Sequence, residues 1–228
     1  MTEKIELAGV HLDHIPPARA MELAAGYLKN DPMSIIETAT MQTIAAAGES
    51  EEVHQCLERM DLILIGDKGI LDLAGVESAD EVREAESREF FYEFIKWAAK
   101  NEETFFLISQ TSDEVTELAE FLQELCEGTI QICGQYAFEE CQGDEEDVVN
   151  EINSVSPQVI LSTLSAPEQE LFLHRHLGMC NAKVWYGIGP EYDVTSSRRG
   201  LKNWMKKLKV QYKVRQQVQS YEETGEEK

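Results

Sequence analysis

Three places in the sequence hold residue types that could do chemistry. In LILIGDKGIL, Asp67 follows an apolar run and is flanked by Gly66 and Gly69, which would hold a carboxylate at the mouth of a sheet. An Asp at a strand end serves either as a cap or turn residue bonding nearby backbone, or as a general base or a sugar or metal ligand. In LSAPEQELFLHRHL, Pro167 opens a helix whose first turn carries Glu168, Gln169 and Glu170. That pattern is helix punctuation with acids complementing the dipole, or it presents Gln169 and Glu170 to a polar ligand. His174 and His176 are two apart, so they do not share a helical face. They read as solvated surface, and no metal site is expected there.

The third place is RRGLKNWMKKLKVQYKVR, residues 198–215, with eight Lys or Arg and no acid in a chain of net charge -23. Leu201, Trp204, Met205, Leu208 and Tyr212 recur at helical spacing, with Lys202, Lys206, Lys209 and Lys213 at other positions around the helix. Such a helix either lies in a membrane interface or packs its apolar stripe on its own domain or a sister subunit.

The elements that must position these residues follow from period. Apolar runs over 4–10, 33–39, 61–66, 104–109, 129–135, 158–164 and 182–189 predict strands. Between them, 17–29, 50–60, 79–100, 113–126, 144–154 and 167–177 predict helices. The alternation predicts an α/β fold, a Rossmann-like, mostly parallel sheet with helices on both faces, plus a basic amphipathic C-terminal helical appendage. We expect an α/β domain over 1–195, the appendage over 196–219 and a disordered acidic tail over 220–228. Ligands of such sheets sit at the carboxyl ends of strands, which here read ETAT, IGDKG, LISQT, LSTLSAPEQE and GIGPEYD.

Composition narrows the function. The acidic balance repels phosphates and argues against nucleic-acid binding. Five cysteines, odd in number and without a CxxC pair, argue against a disulfide framework or structural zinc and for a reducing cytoplasm. No apolar run reaches membrane-spanning length. No GxGxxG or Walker sequence is present to cradle a dinucleotide or ATP.

DLILIGD, TFFLIS, APEQE after ILSTLS, AKVWYGIG and the basic aromatic tail together resemble the WecB/TagA/CpsF bacterial glycosyltransferases over nearly the whole chain. The resemblance implies transfer of an N-acetylmannosamine-like sugar from a nucleotide carrier, UDP-linked, to a polyprenyl-diphosphate-linked acceptor in cell-surface polysaccharide or teichoic acid synthesis. It implies no metal or other cofactor, with Asp67 as general base.

Carried over by position, it assigns substrate binding to Thr38, Thr40, Arg83, Gln169, Glu170, Asp193, Arg198, Arg199 and Arg215. Thr40 stands where the family has Asn, Glu86 replaces a glycine of the turn that Arg83 opens, and Arg199 falls one residue away from its counterpart. The tail, through Trp204, Lys206, Lys207, Lys209 and Tyr212, would meet an anionic membrane, each cation near the surface contributing about 1 kcal/mol. Peripheral association with the inner face of the plasma membrane is the expectation. Ser109-Gln110 and Thr163-Leu164-Ser165 stand where the family has a glycine pair and Gly-x-Gly. Glycines at such places let backbone amides approach a phosphate, so bulk there should crowd the nucleotide-sugar cleft. The alternative is therefore a catalytically inactive paralogue acting as a membrane-associated binding or scaffold protein. The aromatic helix over 88–98 serves either the core or a homo-oligomer interface.

Overall fold

The computed structural model describes residues 3–76, 82, 85, 87–141, 145–190, 214, 217 and 218. Six strands form one parallel sheet: β3 (Ser34–Ala39), β4 (Leu62–Ile65), β5 (Thr104–Ser109), β6 (Gln131–Ala137), β7 (Val159–Ser162) and β8 (Val184–Gly187). Their spatial order is β4-β3-β8-β7-β5-β6. The expected α/β architecture is therefore present. β1 (Glu3–Leu7) and β2 (Val10–His14) form a separate antiparallel hairpin. The run 4–10, expected as one strand, is broken because Ala8 (φ 52°) and Gly9 (φ 80°) turn the chain back. Asp13 of β2 accepts from Ile63 N at 2.9 Å, so the hairpin is tied to the β4 edge.

Strand alternation assigns each face its helices. Ile36, Leu62, Phe105, Leu107, Val159, Leu161, Val184 and Tyr186 point to one core with α1 (Pro17–Tyr27), α5 (Glu89–Lys100) and α6 (Ser112–Leu125). Ile35, Phe106, Ile108, Ile160 and Trp185 point to the other, with α3 (Glu51–Glu58), α7 (Glu146–Val155) and α8 (Glu168–His176). A third cluster packs the hairpin on α2 (Met41–Ala47), α3 and α4 (Lys68–Leu73), and Val214 is fully buried in it. The Gln217 side chain donates to Ala45 O at 3.3 Å, so the described part of the tail packs on this layer.

The aromatic helix is core. In α5, Phe90, Phe91, Phe94, Ile95 and Ala98 are buried, and the Phe90 and Phe94 rings lie 5.5 and 5.6 Å from Tyr186, edge to face. The histidine expectation fails. His176 lies 2.8 Å from the Glu145 carboxylate with its ring 4.8 Å from Phe172, and His174 Nδ1 is buried without a partner. Glu145 also holds Arg175, which donates to both of its oxygens, at 2.9 and 2.5 Å. Those hydrogen bonds hold its carboxyl below the usual range.

Candidate active site

The carboxyl ends of β3, β4 and β8 meet the N-terminal ends of α1 and α5 around a cavity of about 270 Å³. The long connection from β4 to β5 crosses β3, β8 and β7, so this is where the strand order switches, the usual ligand position in an open α/β sheet. The floor is apolar and aromatic: Leu64, Phe90, Phe91 and Tyr186, closed at the side by Pro16, Pro17 and Ala20. Thr38, Asp13, His14, Arg88 and Glu89 bring polar groups to it.

Thr38 is the expected site residue that lies in this cavity. Its hydroxyl is 3.1 Å from the buried Tyr186 OH, and burial raises the Tyr186 phenol above its ordinary pKa. Gly66 makes room for it, since a Cβ there would overlap Thr38 Cγ2 and approach Ala39 O to 3.2 Å. Asp67 follows as the N-cap of α4, its Oδ1 accepting from Gly69 N at 2.8 Å. Ile65 before it and Leu71 after it line the cavity, while the half-exposed Asp67 itself is not among the lining residues. The cap thus fixes the Asp67 orientation without closing it off from solvent. Thr40 has a local duty: it caps α2 in a reciprocal box with Thr43.

Gln169 and Glu170 are elsewhere. Both are 1 % exposed, on the sheet face opposite Thr38. Gln169 donates to Glu37 at 2.5 Å and accepts from Trp185 Nε1 at 3.4 Å, so its amide is committed within the protein. The structure does not bring them into the cavity with Thr38. Arg83, Asp193, Arg198, Arg199, Trp204, Lys206, Lys207, Lys209, Tyr212 and Arg215 lie outside the described residues.

Arg88 was not singled out from the sequence. It caps α5 in the left-handed region at φ 53°, lines the cavity and donates to Ile188 O at 2.9 Å. A non-glycine residue held there is uncommon and clusters at functional sites. The apolar period over 79–100 runs straight past it, and backbone sign leaves no mark on that period.

The substituted glycine positions are filled by contacts. Thr163 Oγ1 donates to Ser109 Oγ at 2.8 Å, and both residues are buried between the ends of β5 and β7. The two side chains close that part of the strand-end crevice, while the cavity beside β3 and β8 stays open. No group of three or more His, Cys, Asp or Glu suited to a metal occurs among the described residues.

A parallel sheet of this order with an aromatic-floored cavity at its carboxyl edge places the protein in the Rossmann-like α/β class. The model of the WecG/TagA/CpsF glycosyl transferase family matches residues 5–217, so the chain belongs to this glycosyltransferase family, whose members serve cell-surface polysaccharide synthesis. A search of curated proteins found no significant match. Among the described residues, no helix is long and apolar enough to cross a membrane.

Proposed function

We propose that the protein transfers an N-acetylmannosamine-like sugar from a nucleotide donor, UDP-linked, to a polyprenyl-diphosphate-linked acceptor. The observation that carries this reading is the open cavity at the β3, β4 and β8 ends, with Asp67 held as the N-cap of α4 between the lining residues Ile65 and Leu71. In this mechanism Asp67 removes the proton of the acceptor hydroxyl while that oxygen bonds to the anomeric carbon. The bond from that carbon to the donor's diphosphate breaks, and the nucleoside diphosphate departs as an anion. Thr38 and Arg88 contact the sugar. Thr40, Gln169 and Glu170 act from behind, holding α2 and α8 against the strands.

Arg83, Asp193, Arg198, Arg199 and Arg215 bind the diphosphates of donor and acceptor, Arg through its two-pronged guanidinium. Trp204, Lys206, Lys207, Lys209 and Tyr212 seat the tail on an anionic membrane surface at the inner leaflet. The transfer needs no metal.

Titration calorimetry of the full chain with UDP and UDP-sugars tests the reading. Binding that weakens in Thr38→Val supports it, and folded protein that binds none of them refutes it. One observation favours a second reading: the Ser109–Thr163 contact closes backbone that would otherwise be free to approach a phosphate. On that reading the chain is a non-catalytic membrane-associated binding protein. Turnover with any nucleotide sugar eliminates it.

A further inference from the structure

Behind the cavity, on the other face of β3, lies a polar constellation that the transfer mechanism does not use as a reacting group. Glu37 points into the core one residue before Thr38 and is 3 % exposed. Gln169 bridges it to α8, and the next residue, Glu170, has both carboxylate oxygens buried with no hydrogen-bond partner. Gly187, paired in register with Glu37 on β8, leaves the space for this bridge. A Cβ there would stand 2.8 Å from Gln169 Cδ and closer still to the Glu37 carboxylate.

The surroundings offer little to neutralise two charges. From α3 come the Cys56 thiol, pushed up to about 12 by burial and then by Glu170 and Glu37, and the exposed Arg59, which acts on Cys56. From the opposite face of the sheet, Arg88 acts on Glu37 at long range. From β8 come only Trp185 and Gly187. At the far end of α8, Arg175 and His176 are taken by Glu145. A buried carboxylate without a partner costs several kcal/mol, and the group takes up a proton instead. Burial raises both carboxyls, and Glu37 is raised further by the adjacent Glu170.

We propose that Glu37, which holds Gln169 of α8, and the buried Glu170 next to Gln169 form a proton-operated clasp that seats α8 on β3 while both carboxyls are protonated. Release of a proton from the pair to water leaves a buried anion, loosens α8, and frees the strand that carries Thr38. The clasp therefore couples pH to the shape of the cavity rim from the far side of the sheet. It does not depend on which ligand the cavity takes.

Hydrogen–deuterium exchange of the full chain, without ligand, tests this by following peptides covering 34–39 and 168–176 across pH and correcting for intrinsic exchange. In the wild type the opening constant of these segments should rise with pH between about pH 5 and pH 7, by about tenfold per pH unit for each of the two protons that opening releases. Glu170→Gln should make that rise shallower by one proton's share, while Glu168→Gln, an exposed acid on the same helix, should follow the wild type. Glu170→Met gives a second neutral side chain should the glutamine variant not fold. A slope as steep as the wild type in either folded neutral variant overturns the proposal.

Discussion

Gly66→Ala should damage the cavity through one methyl group, and the structure says which. The new Cβ would lie well under 3.0 Å from Thr38 Cγ2 and 3.2 Å from Ala39 O. Overpacking of this kind costs about 1–3 kcal/mol. If Thr38 rotates away instead, it gives up its 3.1 Å bond to Tyr186 OH, worth about 1 kcal/mol, and leaves a buried hydroxyl unpaired. The smaller unfolded-state entropy of Ala returns about 0.4–1 kcal/mol, so a net loss of about 1–2 kcal/mol is expected.

Thr38→Ser removes the clashing Cγ2 and keeps the hydroxyl. In that background Gly66→Ala should cost less than about 1 kcal/mol, because only the Ala39 O approach remains. Urea unfolding of the four proteins gives the coupling directly, expected at about 1 kcal/mol or more in favour of the double variant. Additivity of the two single effects would show that Thr38 is not held by the Gly66 backbone and would refute this account of the rim.

The buried acid on α8 predicts an inverted pH profile. Glu170 has its folded pKa raised from 4.5 to about 7, so the folded state holds a proton that the unfolded state has released between those values, and stability falls as pH rises through that window. At about 1.36 kcal/mol per unit, Glu170→Gln should be more stable than the wild type by about 3 kcal/mol at pH 8 and indistinguishable at pH 4. Denaturant titration at the two pH values checks this. Phe94→Ala should cost about 3–5 kcal/mol, because the ring is fully buried between Phe90 and Tyr186 and its removal leaves a cavity. Thermal unfolding measures it.

The parallel sheet and its main helices were legible because apolar runs and helical period are local properties of the chain. β5 and α6 show this: TFFLIS is a buried run, and Thr111 caps the next helix in a box with Glu114. What escaped was set by tertiary context. α2 is buried at six of its seven positions, Gln42 excepted, so MQTIAAA has no polar face to mark a period. α4 spans six residues, too few to show one. The hairpin turn rests on Ala8 at positive φ, without the Asn-Gly or Asp-Gly that usually signals such a turn.

Of the expected residues, Thr38, assigned by the family resemblance, lines the cavity, and Asp67, read from its strand-end position, caps α4 between the lining residues Ile65 and Leu71. Gln169 and Glu170 were found by their place after β7, yet helix rotation turns them toward Glu37. A glutamate in the middle of an apolar run reads as surface, and only the sheet shows that Glu37 faces a packed helix. Cys56, apolar in character and 3 % exposed, gives no hint in sequence that it stands beside two carboxyls.

The central claim is that Asp67 is the base of a glycosyl transfer. Asn caps a helix as well as Asp does, so Asp67→Asn keeps the bond to Gly69 N and the fold while removing the basic oxygen. The decisive measurement is the rate of sugar transfer from a UDP-linked N-acetylmannosamine donor to a short-chain polyprenyl-diphosphate acceptor, wild type against Asp67→Asn, with thermal midpoint and donor affinity recorded on the same samples. The account predicts a rate loss of about 10²–10⁴-fold with midpoint and affinity unchanged. Full transfer by Asp67→Asn would contradict it.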